Sequence, residues 1–172
     1  MTDPLPPESP APEVPAYERF DSEAQFQSAV DRLLTLPGRE LRIFDPDFTA
    51  LKPNAPARVE AFEAFLAASR TRRIHAVVHD TGPLTRQCPR MMSLVARYSH
   101  AIQVHQTHPE IRELQDAFLV LDAAHYVRRP VARFFRGGAG VNDETDALAM
   151  RSRFQEIWSA SFPAVSATTI GL

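Results

Sequence analysis

The sequence predicts an α/β protein: a mixed sheet of about six strands, parallel at its centre and antiparallel towards the carboxyl terminus, flanked by helices. Three observations carry this expectation. Short apolar runs near residues 41, 74 and 101 alternate with stretches of helical periodicity, which implies right-handed crossovers between parallel strands. The later runs, near residues 116–122, 124–129 and 131–136, are joined by very short turns and so should be antiparallel. A last stretch of helical spacing then extends from Asn142 to about Phe162.

Residues 1–20 are expected to form a disordered, acidic, proline-rich tail, leaving 21–172 as a single domain. Six of the fifteen prolines fall within the first fifteen residues, among acidic and small side chains that bury too little apolar surface to offset the entropy of ordering. A Pro-x-x-Pro match at Pro4–Pro7 gives that segment a second reading, as a ligand for a partner domain. From Asp21 a helix can begin on an acidic cap, with Phe26, Val30, Leu33 and Leu34 on one face, and end before Pro37-Gly38. Leu41-Arg42-Ile43-Phe44 follows as a strand. Asp45-Pro46 closes it, because proline cannot donate to a ladder and pushes the preceding residue out of helical geometry.

A second helix is expected from about Ala57 to Arg70, with Val59, Phe62, Phe65, Leu66 and Ala68 inward and Arg58, Glu60, Glu63 and Arg70 outward. Ile74-His75-Ala76-Val77-Val78 reads as a buried strand ending on His79-Asp80. Pro89 suits the first turn of a helix that carries Met92, Leu94 and Val95 inward as far as Tyr98. Ala101–Val104 is the next strand, with His105 and His108 at its exit. In the final helix, Leu148, Met150 or Arg151, Phe154, Ile157, Trp158 and Phe162 recur at helical spacing, and Asp143, Glu144 and Asp146 oppose the positive end of the macrodipole. Phe154 and Trp158 are read as sheet-packing side chains.

With 172 residues, 44% of them hydrophobic and 23% charged, the chain has room for one domain with a proper core. No apolar run approaches the roughly 18–20 residues that cross a bilayer, and the amino terminus lacks the basic and apolar regions of a secretory signal. A cytoplasmic location is therefore expected. The single cysteine, Cys88, excludes an internal disulfide framework and a Cys-rich zinc site, and is read as a packing residue. Residues 1–23 carry a charge of −5, which leaves the other 149 residues at +3 within a total of −2. That small excess is far from the strongly basic footprint of a dedicated nucleic-acid binder.

Two clusters of polar residues are candidates for chemistry. If the first three strands are parallel, Asp45, His79, Asp80, His105 and His108 all reach their carboxyl ends, where open α/β sheets form crevices. Imidazoles and carboxylates there could hold a divalent ion, with His79, Asp80, His105 and His108 as the ligand set; turn capping by the aspartates is the simpler account. The second cluster is basic. Arg128, Arg129, Arg133 and Arg136 precede Gly137-Gly138-Ala139-Gly140 and a helix start, an arrangement that can receive phosphate or, weakly, nucleic acid. Acidic Asp143 and Glu144 in the first helical turn and the absence of a Walker lysine argue against it, and solvated strand-edge arginines are the simpler reading.

The most informative stretch is Gln115–Pro130, where the apolar strand Ala117–Leu121 ends on Asp122 and His125–Arg129 follows within three residues. With Leu41–Pro46, Val77–Asp80 and Phe154-x-x-x-Trp158, this hairpin resembles one half of a phospholipase D-type domain, over roughly Arg39 to Leu172. More narrowly, it is similar to a bacterial branch of that superfamily sometimes found beside acetyltransferase domains. The resemblance implies a His-x-Lys-(x)4-Asp motif, in which histidine attacks phosphorus, lysine holds the phosphoryl oxygens and aspartate supports the site. Setting Asp122 as the aspartate puts Gln115 at the histidine and Ala117 at the lysine, and the only lysine, Lys52, has no histidine two residues before it.

The expected function is therefore a non-catalytic binding or interaction module with no catalytic residue and no cofactor. Its candidate ligand-binding residues are Asp45, His79, Asp80, Asp122, Arg128, Arg129 and Arg133, and its ligand a protein partner or a phosphate-containing molecule. A divergent metal-dependent phosphoesterase is the alternative, and weak nucleic-acid binding through the arginines a third. Single-copy members of this fold often pair, so the resemblance also implies a homodimer.

Overall fold

A computed structural model describes residues 14–165. The proline-rich stretch before Val14, with its Pro-x-x-Pro match, lies outside the described residues. Among the described residues eight strands form one mixed sheet, in the order β1-β7-β6-β5-β2-β3-β4-β8. The predicted centre is present: β2 (Glu40–Asp45), β3 (Arg73–Val78) and β4 (Ile102–Thr107) are parallel, and β5 (Ala117–Leu121) and β6 (His125–Arg129) continue the sheet antiparallel.

Among the described residues five α-helices sandwich the sheet. On one face lie α1 (Glu23–Thr35), α2 (Pro56–Ala67), α3 (Gly82–Gln87) and α4 (Pro89–Arg97), whose Phe26, Val30, Phe62, Phe65, Leu84 and Leu94 pack on Ile43, Ile74, Val78, Leu119 and Val127. On the other, among the described residues, lies α5 (Glu144–Ser159) alone. Its Ala147, Met150, Phe154 and Ile157 form a helical stripe over Phe44, Val77, Phe118, Val120 and Tyr126. Leu148, expected inward, is 53% exposed, because Ala147 takes the position nearest the sheet.

Local chemistry sets the helix starts. Ser22, one residue after the expected acidic cap, accepts from the Gln25 N–H at 3.2 Å, while the Gln25 side chain reaches back to the Asp21 N–H at 2.9 Å. Pro56 and Pro89 stand in first turns, where a missing N–H costs nothing. Arg58, expected on the outer face of α2, is buried instead. Its guanidinium meets Leu51 O at 3.1 Å, Gln27 Oε1 at 2.6 Å and Asp31 at 2.8 Å, tying α2 to α1.

Three strands differ from expectation. The first, β1 (Ala16–Phe20), falls within the stretch read as tail and pairs antiparallel with β7, from Ala16 opposite Val141 to Phe20 opposite Gly137. The second, β7 (Gly137–Val141), is the glycine segment expected only to lead into a helix start, whereas 131–136, read as a strand, forms the connection before it. Glycine is needed in β7 because neighbouring groups lie on its backbone: a Cβ at Gly137 would stand 1.8 Å from the Arg128 carbonyl oxygen, and one at Gly140 2.3 Å from Tyr126 Cε1. The third, β8 (Ser161–Val165), lies where the helix was expected to continue to Phe162. It pairs antiparallel with β4 at the sheet edge, where the missing N–H of Pro163 is tolerated.

Among the described residues no helix is long and apolar enough to cross a membrane. Cys88 is buried, and burial pushes its thiol above the ordinary range, as suits a packing residue.

Candidate functional site

The carboxyl ends of β2, β3, β4 and β6 and the amino end of β5 share one end of the sheet, which is where the strand topology gathers most of the sequence-derived candidates. Phe44 pairs with Phe118, so one step further along that register Asp45 comes level with Ala117; Ala117 in turn pairs with Arg129. Three strands thus bring Asp45, Ala117 and Arg129 into a row on the face covered by α1. The methyl of Ala117 leaves room for the Arg129 guanidinium to reach the Asp45 carboxylate, with both side chains only 4% exposed.

This ion pair is completed on all sides. Arg129 Nη2 donates to Asp45 Oδ1 and Nη1 to Ala132 O, while Asp45 Oδ2 accepts from the Phe48 N–H at 2.8 Å and the Asp47 N–H at 3.2 Å. The guanidinium also lies 4.8 Å from the Phe26 ring centroid. Burial lifts the Asp45 carboxyl above its ordinary value, against the opposing pull of Arg129 and the two amides; burial likewise lowers Arg129, opposed by Asp45. The solvated-edge reading of Arg129 is thereby corrected: β6 lies between β5 and β7 and is no edge.

The positions implied by a phosphodiesterase motif do not converge on a reacting centre. Gln115 is exposed, and its carbonyl accepts from the Ala132 N–H at 2.7 Å. Ala117 is buried beneath the ion pair. Asp122, at the far end of β5, accepts from the Arg39 N–H at 3.1 Å and the Glu40 N–H at 2.9 Å, which fixes the start of β2. Lys52 sits in the loop before α2 and pairs with Glu23 at 3.2 Å.

The strand-end histidines and aspartate are near one another in the fold but are separately engaged. His79 Nε2 donates to Leu114 O at 2.8 Å, so Nδ1, 2.7 Å from Thr107 Oγ1, accepts from that hydroxyl in the neutral ring. Asp80 accepts from the Gly82 N–H at 2.8 Å and opens α3. His105 contacts Ser161 Oγ at 2.9 Å and stacks on Trp158, with ring centroids 3.6 Å apart. His108 lies against Phe162 at 5.1 Å. Among the described residues no group of three or more His, Cys, Asp or Glu side chains is placed to hold a metal ion.

Beside the ion pair, at the same end of the sheet, lies an open groove of ≈ 680 Å³ between the end of β1 and the 130–136 connection. Phe20, Pro130, Val131 and Phe134 supply apolar lining, and Arg19 and Arg136 supply charge. Phe134 is 43% exposed and Val131 38%, while Arg133 and Arg136 hold their guanidinium carbons 4.8 Å and 5.5 Å from the Phe134 ring centroid. Arg19 and Arg128 flank Gly138 from either side on the face opposite Arg129, both exposed. Among the described residues none of Arg19, Arg128, Arg133 and Arg136 enters an ion pair. Of the groove, the arginines after β6 are visible in the sequence as a basic run, and Phe134, an aromatic between arginines in a proline-led turn, is the signal for its apolar part.

A parallel β2-β3-β4 core extended by antiparallel strands, with α5 alone on one face, is the phospholipase D-like fold. Nuc from Salmonella typhimurium, a phospholipase D family member, superposes with a TM-score of 0.62 at 16% identity, over 89% of this chain and 100% of that one. NucT from Helicobacter pylori gives 0.56 at 12% identity, over 88% and 100%. TrmBL2, an archaeal chromatin protein whose structure shows a novel mode of DNA binding, gives 0.62 at 12% identity, over 92% of this chain and 56% of that one. At these identities the likeness is one of fold. No curated protein matches the chain in sequence. The chain belongs to the family described as a domain of unknown function (DUF7931), which is matched over residues 22–167.

Proposed function

We propose that the protein is a non-catalytic binding module on a phospholipase D-like fold. The observation that carries this is the row Asp45–Ala117–Arg129. Where the resemblance puts the cation that would hold phosphoryl oxygens there is a buried methyl group, and the nearest guanidinium is committed to a carboxylate. A phosphodiesterase needs a nucleophile and a cation free to meet developing charge, and neither Gln115 nor Ala117 supplies one. The test is hydrolysis of bis(4-nitrophenyl) phosphate by purified protein, with and without added Mg²⁺, Mn²⁺ or Zn²⁺. No turnover above buffer is expected, and turnover abolished by Gln115→Ala or Asp122→Ala would overturn the proposal. Turnover that depends on added metal and is lost on changing His79 or Asp80 would establish the metal-dependent phosphoesterase instead.

A second reading, nucleic-acid binding, is favoured by the exposed Arg19, Arg128, Arg133 and Arg136 beside the exposed rings of Tyr17 and Phe134. The neighbour TrmBL2 supports it by fold alone. Binding to a DNA oligonucleotide that weakens with salt, and weakens further in Arg133→Ala/Arg136→Ala, is its test. Pairing of two copies is a further proposal of the same reading, checked by light scattering across a concentration series.

A further inference from the structure

We propose that the groove between β1 and the 130–136 connection receives an extended, acidic, proline-rich segment, and that residues 2–13 of this same chain are such a ligand. This rests on the non-catalytic binding reading and names the chemistry of the occupant.

The groove is built for a chain and not for a point anion. A compact phosphate is held by donors that converge, whereas here the cations are distributed: Arg19 on β1, and Arg136, with Arg133 beside it over Phe134, on the 130–136 connection. Apolar surface from Phe20, Val131 and Phe134 lies between them, and among the described lining residues Asp21 is the one carboxylate. Such a surface fits a polymer whose anionic side chains are separated by apolar rings.

Residues 2–13 have that composition. Asp3, Glu8 and Glu13 recur at five-residue intervals, with Pro4, Pro6, Pro7, Pro10 and Pro12 between them. In a polyproline II conformation five residues span about 15 Å, and aromatic-lined grooves take such segments because little entropy is lost on docking. Among the described residues no strand pairs with the outer edge of β1, and the five prolines of residues 2–13 offer no N–H to extend a ladder there. Reach is sufficient. β1 measures roughly 17 Å, and twelve extended residues before Val14 span roughly 37 Å, enough to run back along β1 to Phe20.

The test places a nitroxide on Ser9→Cys in the full chain; Cys88 is buried, and wild-type protein treated with the same reagent is the control. Paramagnetic loss of amide intensity is expected at residues 17–20 and 131–137. It should be relieved by Arg133→Glu/Arg136→Glu, by Asp3→Lys/Glu8→Lys, and by about 1 M salt, where the screening length falls to roughly 3 Å. Intensity loss that is absent or spread evenly over the surface overturns the proposal. So does its absence together with shifts at the same residues on adding a DNA oligonucleotide, which assigns the groove to nucleic acid. Intensity loss seen only on unlabelled copies mixed with labelled ones overturns docking within one chain. The non-catalytic reading fails only on phosphodiester turnover, so the two fail separately.

Discussion

Asp45 on β2 and Arg129 on β6 lie 84 residues apart in sequence and meet across the methyl of Ala117, both buried. Breaking the pair from one side leaves the other charge without its partner. Arg129→Met is expected to cost about 3–5 kcal/mol, whereas Asp45→Asn/Arg129→Met, which keeps an acceptor for the Phe48 and Asp47 amides, should recover most of that loss. Urea denaturation of the two variants and the parent checks the ordering.

Restoring the motif side chains is expected not to restore chemistry. Ala117→Lys places a long cation in a packed row beside Arg129, so the variant should lose about 3 kcal/mol or more to overpacking and like-charge contact. Gln115→His/Ala117→Lys should show no phosphodiester hydrolysis. A gain of turnover in that double variant, read on bis(4-nitrophenyl) phosphate, would mean the pair yields its site readily.

Gly140 is fixed by the ring above it. Gly140→Ala should destabilise the protein by about 1–3 kcal/mol, since the added carbon meets Tyr126, whose hydroxyl is already tied at 3.1 Å to each of Asp143 and Asp146. Gly140→Ala/Tyr126→Leu should cost less than the two single changes added together. Thermal unfolding of the four-member cycle measures the difference.

Stability is expected to fall on mild acidification. Burial holds His75 and His105 below the ordinary value of 6.5, with the His75 charge lowering His105 further; Glu40 pulls His75 upward, while Arg42 and Arg73 push it down. The unfolded chain then binds more protons than the folded one below about pH 6.5, so the contribution is complete above that pH and is lost as pH drops through the folded-state values. Urea midpoints measured from about pH 7 downward should decline, and His75→Gln/His105→Gln should flatten the decline.

The elements legible in the sequence are those whose state is fixed by their own pattern. The apolar run Ile74–Val78 and the stripe Phe26, Val30, Leu33, Leu34 announce themselves through period and burial. The strands that were missed have no such signal. Ala16–Phe20 is exposed in all but Phe20, Gly137–Val141 has poor strand propensity, and Ser161–Val165 contains Pro163; each is a strand because of its neighbour. The site divided in the same way. Asp45 was legible as a strand-end acid, but its partner was counted with Arg128 and Arg133, since alternation does not show which arginine faces a core without the register. The alignment with the phospholipase D motif, which sets Gln115 and Ala117 at the histidine and lysine positions, required only spacing.

Because β1 pairs with β7, from Ala16 opposite Val141 to Phe20 opposite Gly137, β1 has no ladder partner until β7 has been synthesised. Closure of that sheet edge therefore falls to a late, non-local step, after β2 to β6 have been made.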